Sequence, residues 1–381
     1  MSARFRNTGV FAVARAFVLV LIAVSLCLES KIPTTAARSR EPEVRIGVFG
    51  LFHPRQLSVS AVPGSTLMLR AGDQQILLET SAGTGAATIS ETSSGILLVC
   101  TGRKIKSARL FLSGRNREPV DFELAVPGKI ARHYRGTLQI KASDDTLIPI
   151  VTMDVETAVA SVVAAENPPD TPMEALKAQA IATRSYFVSG SGRHADFDFC
   201  DTTHCQFLRE PPASEGPVAR AVEATSGLVL AYKSKPFPAM YTRSCSGQTH
   251  TPAQVGLISA DYPYYSVACE YCRSHPAHWT SRIASSEAAS LRGSDESSRL
   301  TVARRLGWSA VASNDFITHK EGDETVLEGT GLGHGIGLCQ AGARAMAERG
   351  ANLQQILSHY YPNTTTVTWS GRVEAATARL R

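Results

Sequence analysis

Glu166 stands where a helix should bury an apolar side chain. Val155, Ala158, Val159, Val162 and Val163 recur at helical spacing and form one apolar stripe, and the next step along it is Glu166. Pro168 and Pro169 then stop the helix. A carboxyl kept from water either pairs with a cation, here Lys177 or Arg184, or takes a raised pKa and can donate a proton near neutral pH. The spacing leaves both readings open. Thr171, Pro172 and Glu174 read as the N-cap, the first helical residue and the far end of a capping box for a second helix. The acid is therefore expected at a short Pro-rich corner between two helices.

A second group of reactive side chains lies further along the chain. His194, Cys200, His204 and Cys205 fall within twelve residues, so one loop could gather them around zinc, which imidazole and thiolate suit. The same residues allow a Cys200–Cys205 disulfide, or one from Cys205 to Cys245, with the histidines exposed. Cys269 and Cys272 have C-x-x-C spacing without a surrounding βαβ pattern, which leaves a structural disulfide or a share in a metal site. The glycines of 331–337 match neither the dinucleotide fingerprint nor the phosphate loop. They are expected to let backbone pass close to a ligand or another segment, with His334 as a positioned polar group or a structural histidine. Ser244 and His250 evoke a hydrolase, but no G-x-S-x-G motif or triad order accompanies them.

The elements that must position these residues divide the chain. Arg4, Arg6 and Arg15 precede the apolar run Ala16–Leu28, so residues 1–30 read as a signal peptide or membrane anchor, and the rest is expected outside the cytoplasm. Cys27 follows Leu26, a residue too large for a lipoprotein site. Residues 31–42 read as a linker. From Glu43 to about Met153 short β-branched and aliphatic runs (EVRIGVF, TLMLR, QILLET, GILLVC, ARLFLSG, FELAV, then RGTLQIK) alternate with turn residues and predict strands, with 43–133 as a β-rich N-terminal region. Beyond the helical hairpin, a short helix at Val218–Thr225 closes at Gly227, and LVLAY and FPAMYTRSC predict a β-hairpin turning at Lys233–Pro236. Residues 246–310 look irregular apart from an amphipathic stretch near Glu287–Trp308. A Gly-rich loop then runs into a helix ending at Gly350, and Asn352 caps a last one. Mixed but segregated helices and strands predict an α+β fold.

Composition sets outer bounds. The chain has 381 residues, 43% of them hydrophobic, enough for a large core, and its net charge of +5 is mild and concentrated near the N-terminus. Nucleic-acid binding gains little support from that balance. Seven cysteines lie beyond the N-terminal segment, an odd number in a disulfide-permissive compartment, so at least one is unpaired or bound to a metal.

Several stretches occur in order: VVAAE at 162–166, EALKAQAIATRSY at 174–186, DTTHCQ at 201–206, AVEATSGLVL at 221–230, YTRSCSGQT at 241–249, GHGIGLCQAGARAMAERG at 333–350 and HYYP at 359–362. Together they resemble the stage II sporulation protein D family (SpoIID, with the amidase enhancer LytB). The resemblance spans residues 134–365, which defines a peptidoglycan-processing domain followed by a tail at 366–381. It implies a lytic transglycosylase that cuts glycan between N-acetylmuramic acid and N-acetylglucosamine, on strands already stripped of stem peptides by an amidase. Glu166 falls at the family's catalytic glutamate. Such an acid would protonate the glycosidic oxygen, then take the proton of the muramic C6 hydroxyl as a 1,6-anhydro product closes. By motif position Arg184, Tyr186, Gln206, Ser244, His334 and Gln340 are the expected glycan-binding residues. Some members of the family hold zinc near this loop and others lack it, so the resemblance allows a structural zinc with His194, Cys200, His204 and Cys205 as its ligands, and catalysis is expected to need no cofactor. The expected partners are peptidoglycan glycan strands and a cell-wall amidase, with the membrane met only through an uncleaved N-terminal segment. The alternative the family allows is a non-catalytic wall-binding module that stimulates an N-acetylmuramoyl-L-alanine amidase. Asn167, Ser246 and Cys339 depart from the family pattern, where Met, Gly and Ser are usual, and the role expected is general wall remodelling as readily as sporulation.

Overall fold

In the strand-rich region every second side chain is apolar, and those side chains form one inner face. Leu57, Val59 and Ala61, then Leu67, Leu69 and Ala71, then Phe122, Leu124 and Val126 are all buried while their neighbours face outward. The computed structural model describes residues 42–369, apart from 81–84, 191 and 193. The expected signal or anchor of residues 1–30, nearly all of the linker and the end of the tail lie outside the described residues.

The strands are β1 (Glu43–Gly47), β2 (Gln56–Ala61), β3 (Thr66–Ala71), β4 (Gln74–Glu79), β5 (Ala86–Thr92), β6 (Gly95–Cys100), β7 (Arg103–Ser107), β8 (Arg109–Ser113), β9 (Val120–Val126), β10 (Ile130–Ser143), β11 (Thr146–Asp154) and the short β12 (Phe199–Cys200). They build one near-barrel sheet in the order β12-β1-β11-β10-β9-β2-β5-β6-β7, with β8 bridging β10 to the β3–β4 hairpin. The long β10 joins the two halves: Ile130–Gly136 pairs with β9, and Thr137–Ser143 pairs with β11. The sequence boundary expected at 133/134 thus falls inside a strand, and the β-rich region shares one sheet with β11 and β12. Five of these strands were not anticipated, among them the two-residue β12 in the polar His/Cys loop. In β2, β5 and β7 the outward residues are Ser, Thr, Lys or Arg and the inward ones few. In β11, Pro149 argues against a strand, yet it lies just past the pairing of Gly47 with Ile150, where β1 has ended.

Helix α1 (Val155–Glu166) leaves β11 directly, its first turn capped by Asp154, which accepts from the Thr157 N–H at 2.8 Å. After the Pro-rich corner, α2 (Met173–Ser189) is buried along almost its whole length from Ala175 to Val188. A helix apolar and small on all sides belongs at a centre, and α2 packs against α1, α3 (Pro217–Glu223) and β13 (Leu228–Tyr232). Its one buried charge, Arg184, is 0% exposed and is met by a bidentate Glu156 at 2.8 and 2.6 Å and by the carbonyls of Leu228 and Val222 at 3.0 and 3.4 Å.

The predicted hairpin after β13 is shorter than expected. Strand β14 (Lys235–Pro236) pairs with β13, but the chain then leaves, and β15 (Tyr241–Thr242) runs parallel to β19 (Leu338–Cys339). Pro236 and Pro238 lack the N–H a continued ladder would use. The region 246–310, expected to be irregular, holds α4 (Glu270–Ser274), β16 (His278–Ala284), α5 (Ser285–Ala288) and α6 (Glu296–Leu306), and β16 forms a sheet with β18 (Glu324–Thr330) and β17 (Asp315–Glu321) from beyond that region. Ile283, Val302, Val311 and Leu327 give it a small core of its own. Helices α7 (Gln340–Glu348) and α8 (Leu353–Tyr360) close the fold, α8 capped by Asn352 as its sequence suggests. Strand β20 (Thr365–Thr368) pairs with β13, where a tail was expected. The fold is α+β.

Removing Arg184 would leave two carbonyls without their donor and Glu156 with only the Gly227 N–H at 3.3 Å and partial solvent. Arg184→Ala is expected to cost about 3–5 kcal/mol of folding stability, read by urea denaturation, and Arg184→Lys to recover little of it because an ammonium cannot form the bidentate pair.

Candidate functional site

Glu166 is the last residue of α1, and Asn167 ends the helix in extended backbone while its side-chain amide donates back to the Val163 carbonyl at 2.9 Å. The carboxyl is half-buried. Loss of water raises its pKa from 4.5 to about 7, against the smaller downward pulls of the Arg243 charge, the Phe207 N–H and the Arg209 charge. Both arginines are exposed, so solvent screens them, which is why desolvation prevails. A helix C-terminus, with its unpaired carbonyls, acts in the same direction on a carboxylate.

Neither cation expected from the sequence is the partner. Lys177 pairs with Glu174 at 2.8 Å, and Arg184 is committed to Glu156. The capping box is also absent: the Thr171 hydroxyl donates to the Pro168 carbonyl at 2.7 Å, Pro172 occupies the N-cap position, and Glu174 instead accepts from the Leu353 N–H at 2.9 Å, tying α2 to α8. Prolines at 168, 169 and 172 fix the corner backbone, so the Thr171 side chain serves the corner rather than the helix.

Helix α7 buttresses that corner from the other side. The Gln340 amide donates to the Glu166 carbonyl at 3.4 Å, and one turn on Arg344 grips Asp170 at 3.0 and 2.6 Å. The Gln340 Oε1 is buried without a hydrogen-bond partner in the protein, so a bound water or a sugar hydroxyl would satisfy it. Gln206 is buried, donates to the Thr183 carbonyl at 3.3 Å and accepts from the Tyr241 hydroxyl at 2.8 Å. Burial, and after it the nearby Glu166 charge, push the Tyr241 phenol well above its ordinary pKa, so it stays a donor.

The other expected glycan contacts meet protein groups. Arg184 is enclosed, and Tyr186 is buried against Phe199, their ring centres 5.8 Å apart. Ser244 is buried with its hydroxyl 3.4 Å from the Cys272 sulfur. His334 accepts from the Ile336 N–H at 3.0 Å, and its own carbonyl faces His250 at 3.2 Å. His250 pairs with Asp315 at 3.1 Å, and Ser246 donates to the same carboxylate at 2.5 Å. No nucleophile–base pair joins Ser244 to His250. The glycine loop is a close crossing: a Cβ on Gly337, whose φ is +73°, would stand 1.9 Å from the Met240 carbonyl.

His194, Cys200, His204 and Cys205 do converge. Their donor atoms all lie within 4.8 Å of one another, with the two sulfurs 3.3 Å apart and imidazole nitrogens at 3.3 to 3.6 Å from sulfur. At 3.3 Å the sulfurs of Cys200 and Cys205 are not bonded to each other, and Cys205 is not bridged to Cys245, so neither expected disulfide forms. Two sulfurs and two nitrogens at these separations match the edges of a tetrahedral zinc shell. The loop is carried by the sheet: β12 pairs with β1, and Asp201 accepts from the Phe49 N–H and from Arg132, each at 3.1 Å. Arg243, Arg209 and Tyr241 were missed in the sequence. Two of them lie within the stretch YTRSCSGQT, but nothing in spacing says that this stretch faces Glu166.

Comparison with known proteins adds context. Residues 143–232 match the family model described as stage II sporulation protein, SpoIID. That segment contains the Glu166 corner and the His/Cys loop. The chain is similar to an uncharacterized protein of Brachyspira hyodysenteriae, 29% identical over 274 residues, which are 62% of this chain and 73% of the relative. It is similar to the stage II sporulation protein D of Bacillus amyloliquefaciens, 27% identical over 258 residues, 56% of this chain and 74% of the relative. The amidase enhancer of Bacillus subtilis strain 168 is 24% identical over 282 residues, 54% of this chain but only 39% of that protein.

A carboxyl whose pKa is higher folded than unfolded favours the fold at low pH, and that contribution is lost as pH rises from 4.5 through about 7. Glu166→Gln should therefore match the native protein in stability near pH 4.5 and exceed it above pH 7, by at most about 3 kcal/mol. Urea denaturation at the two pH values reads the difference.

Proposed function

We propose that this chain, which belongs to the stage II sporulation protein D and amidase enhancer family, acts on the bacterial cell wall and cuts peptidoglycan glycan as a lytic transglycosylase, with Glu166 as its single acid and base. The observation that carries the reading is the Glu166 carboxyl with a pKa of about 7 at a braced corner. Near neutral pH roughly half the molecules hold the proton, which is the condition a general acid needs.

The protonated carboxyl donates to the glycosidic oxygen while the bond to muramic C1 breaks, and the proton leaves on the released hydroxyl. The carboxylate so formed lies near Arg243 and Arg209 and accepts from the Phe207 N–H, all of which favour the charged form. It then takes the proton from the muramic C6 hydroxyl as that oxygen bonds to C1. The nucleophile belongs to the substrate, so a second carboxyl to deliver water is not required. Gln340, whose Oε1 has no protein partner, and the Tyr241–Gln206 pair are the polar groups proposed to orient sugar hydroxyls. Glycan stripped of stem peptides is the proposed substrate.

His194, Cys200, His204 and Cys205 would hold a structural zinc, a closed four-ligand set that leaves no position for water. Such an ion would brace the loop that supplies Gln206, Phe207 and Arg209. An extracytoplasmic location is proposed from the apolar N-terminal run; among the described residues no helix is long and apolar enough to cross a membrane. A second reading, a module that stimulates a cell-wall amidase, is favoured by the likeness to an amidase enhancer.

Mass spectrometry of digests decides between them. The purified protein should produce 1,6-anhydromuramic ends from denuded glycan, and Glu166→Gln should produce them at least about 100-fold more slowly. No new ends from the folded native protein would overturn the transglycosylase and leave amidase stimulation.

The rate should fall as pH rises through about 7, where the acid loses its proton. Because the Arg243 charge holds the Glu166 pKa down, Arg243→Ala should move that alkaline limb to higher pH, as a rate profile would record.

A further inference from the structure

A second set of sulfurs meets outside the segment matched by the family model. Cys245 lies just beyond β15, Cys269 is the N-cap of α4 with Cys272 inside its first turn, and Cys339 is the N-cap of α7. All four are free thiols, at most 2% exposed, with sulfurs within 4.8 Å of one another; the pair Cys272–Cys339 is 3.5 Å apart. Sulfurs bound at about 2.3 Å around one tetrahedral ion stand about 3.8 Å from each other, whereas a disulfide would bring a pair to about 2.05 Å. A cluster of several irons would need its cysteine sulfurs spread around a core of its own size.

The surroundings suit thiolate rather than thiol. The Cys245 and Gly342 N–H groups both donate to the Cys339 sulfur, at 3.3 and 3.4 Å, and the hydroxyls of Ser244 and Tyr360 lie 3.4 and 3.6 Å from the sulfurs of Cys272 and Cys269. Donors around a buried metal–thiolate group offset its negative charge. Gly342 is part of the same fit: a Cβ there would stand 2.5 Å from the Cys269 sulfur and 2.0 Å from the Tyr360 hydroxyl.

We infer that Cys245, Cys269, Cys272 and Cys339 bind a second zinc ion in an all-sulfur structural site. All four ligand positions belong to protein, so the site is closed to substrate, and loading it displaces the thiol protons. It locks three segments together at one point. Arg243 lies two residues before Cys245, and Gln340 directly follows Cys339, so the ion fastens the wall that reaches Glu166; this consequence rests on the acid–base reading above.

Zinc analysis of the full chain tests the site without reference to activity. The native protein should contain two zinc ions, and X-ray absorption at the zinc edge should average three sulfurs and one nitrogen per ion. In a His194→Ala/His204→Ala variant one ion should remain, with four sulfurs. Cys272→Ser/Cys339→Ser should keep one ion with two sulfurs and two nitrogens, with circular dichroism checking its fold. Absence of an all-sulfur shell in the histidine variant, or peptide maps with these four cysteines in disulfides, would overturn the inference. Glu166→Gln leaves both clusters intact and should hold two ions whatever its activity, which separates failure of this site from failure of the proposed chemistry.

Discussion

Keeping the Glu166 carboxyl from water is unfavourable to the charged form, and the fold must hold it there against two exposed arginines that would restore that form. The balance is fine because the arginine charges are screened while the desolvation is local. Position therefore matters more than sequence neighbourhood. Three prolines stiffen the corner, Gln340 holds the Glu166 carbonyl, and Arg344 clamps Asp170 a turn further along α7. Any slackening that admitted water would return the acid to an ordinary carboxylate.

That corner is fixed at a distance by α2, a helix with no solvent face of consequence. Its Arg184 holds α1 through Glu156 and reaches the carbonyls of Leu228 and Val222, so one buried guanidinium ties together α1, α3 and β13. A buried ion pair is seldom the most stabilising choice, but it is geometrically exacting. The near-barrel sheet contributes from the opposite side. Through β12, Asp201 and Arg132 it holds the His/Cys loop, which carries Gln206 toward Tyr241 and the Phe207 N–H toward the acid.

Patterns confined to one element were legible. Apolar stripes located α1 and its terminal acid, Asn352 announced α8, and clean inside–outside alternation marked β3, β6 and β9. Signals failed where two influences competed. Ser and Thr on the outer face hid β2 and β5, Pro149 hid a strand that continues just beyond its neighbour's end, and the prolines at the corner took Thr171 away from the cap it resembled. The short-range cluster His194–Cys205 could be read as a ligand set, yet the choice between disulfide and open thiols could not, because it depends on distances across a folded loop.

The sequence alone determined the α+β class, the Glu166 corner and a family likeness carried by ordered motifs, all properties of residues close along the chain. Tertiary structure alone decided which charges the acid meets: Arg243 and Arg209 rather than Lys177 and Arg184. It also brought Cys245, Cys269, Cys272 and Cys339 from three segments to one point. The physical reason is common to both. Desolvation and metal-sized ligand spacing are set by what packs across a gap, and helical or strand periodicity reports only which face a residue presents to it.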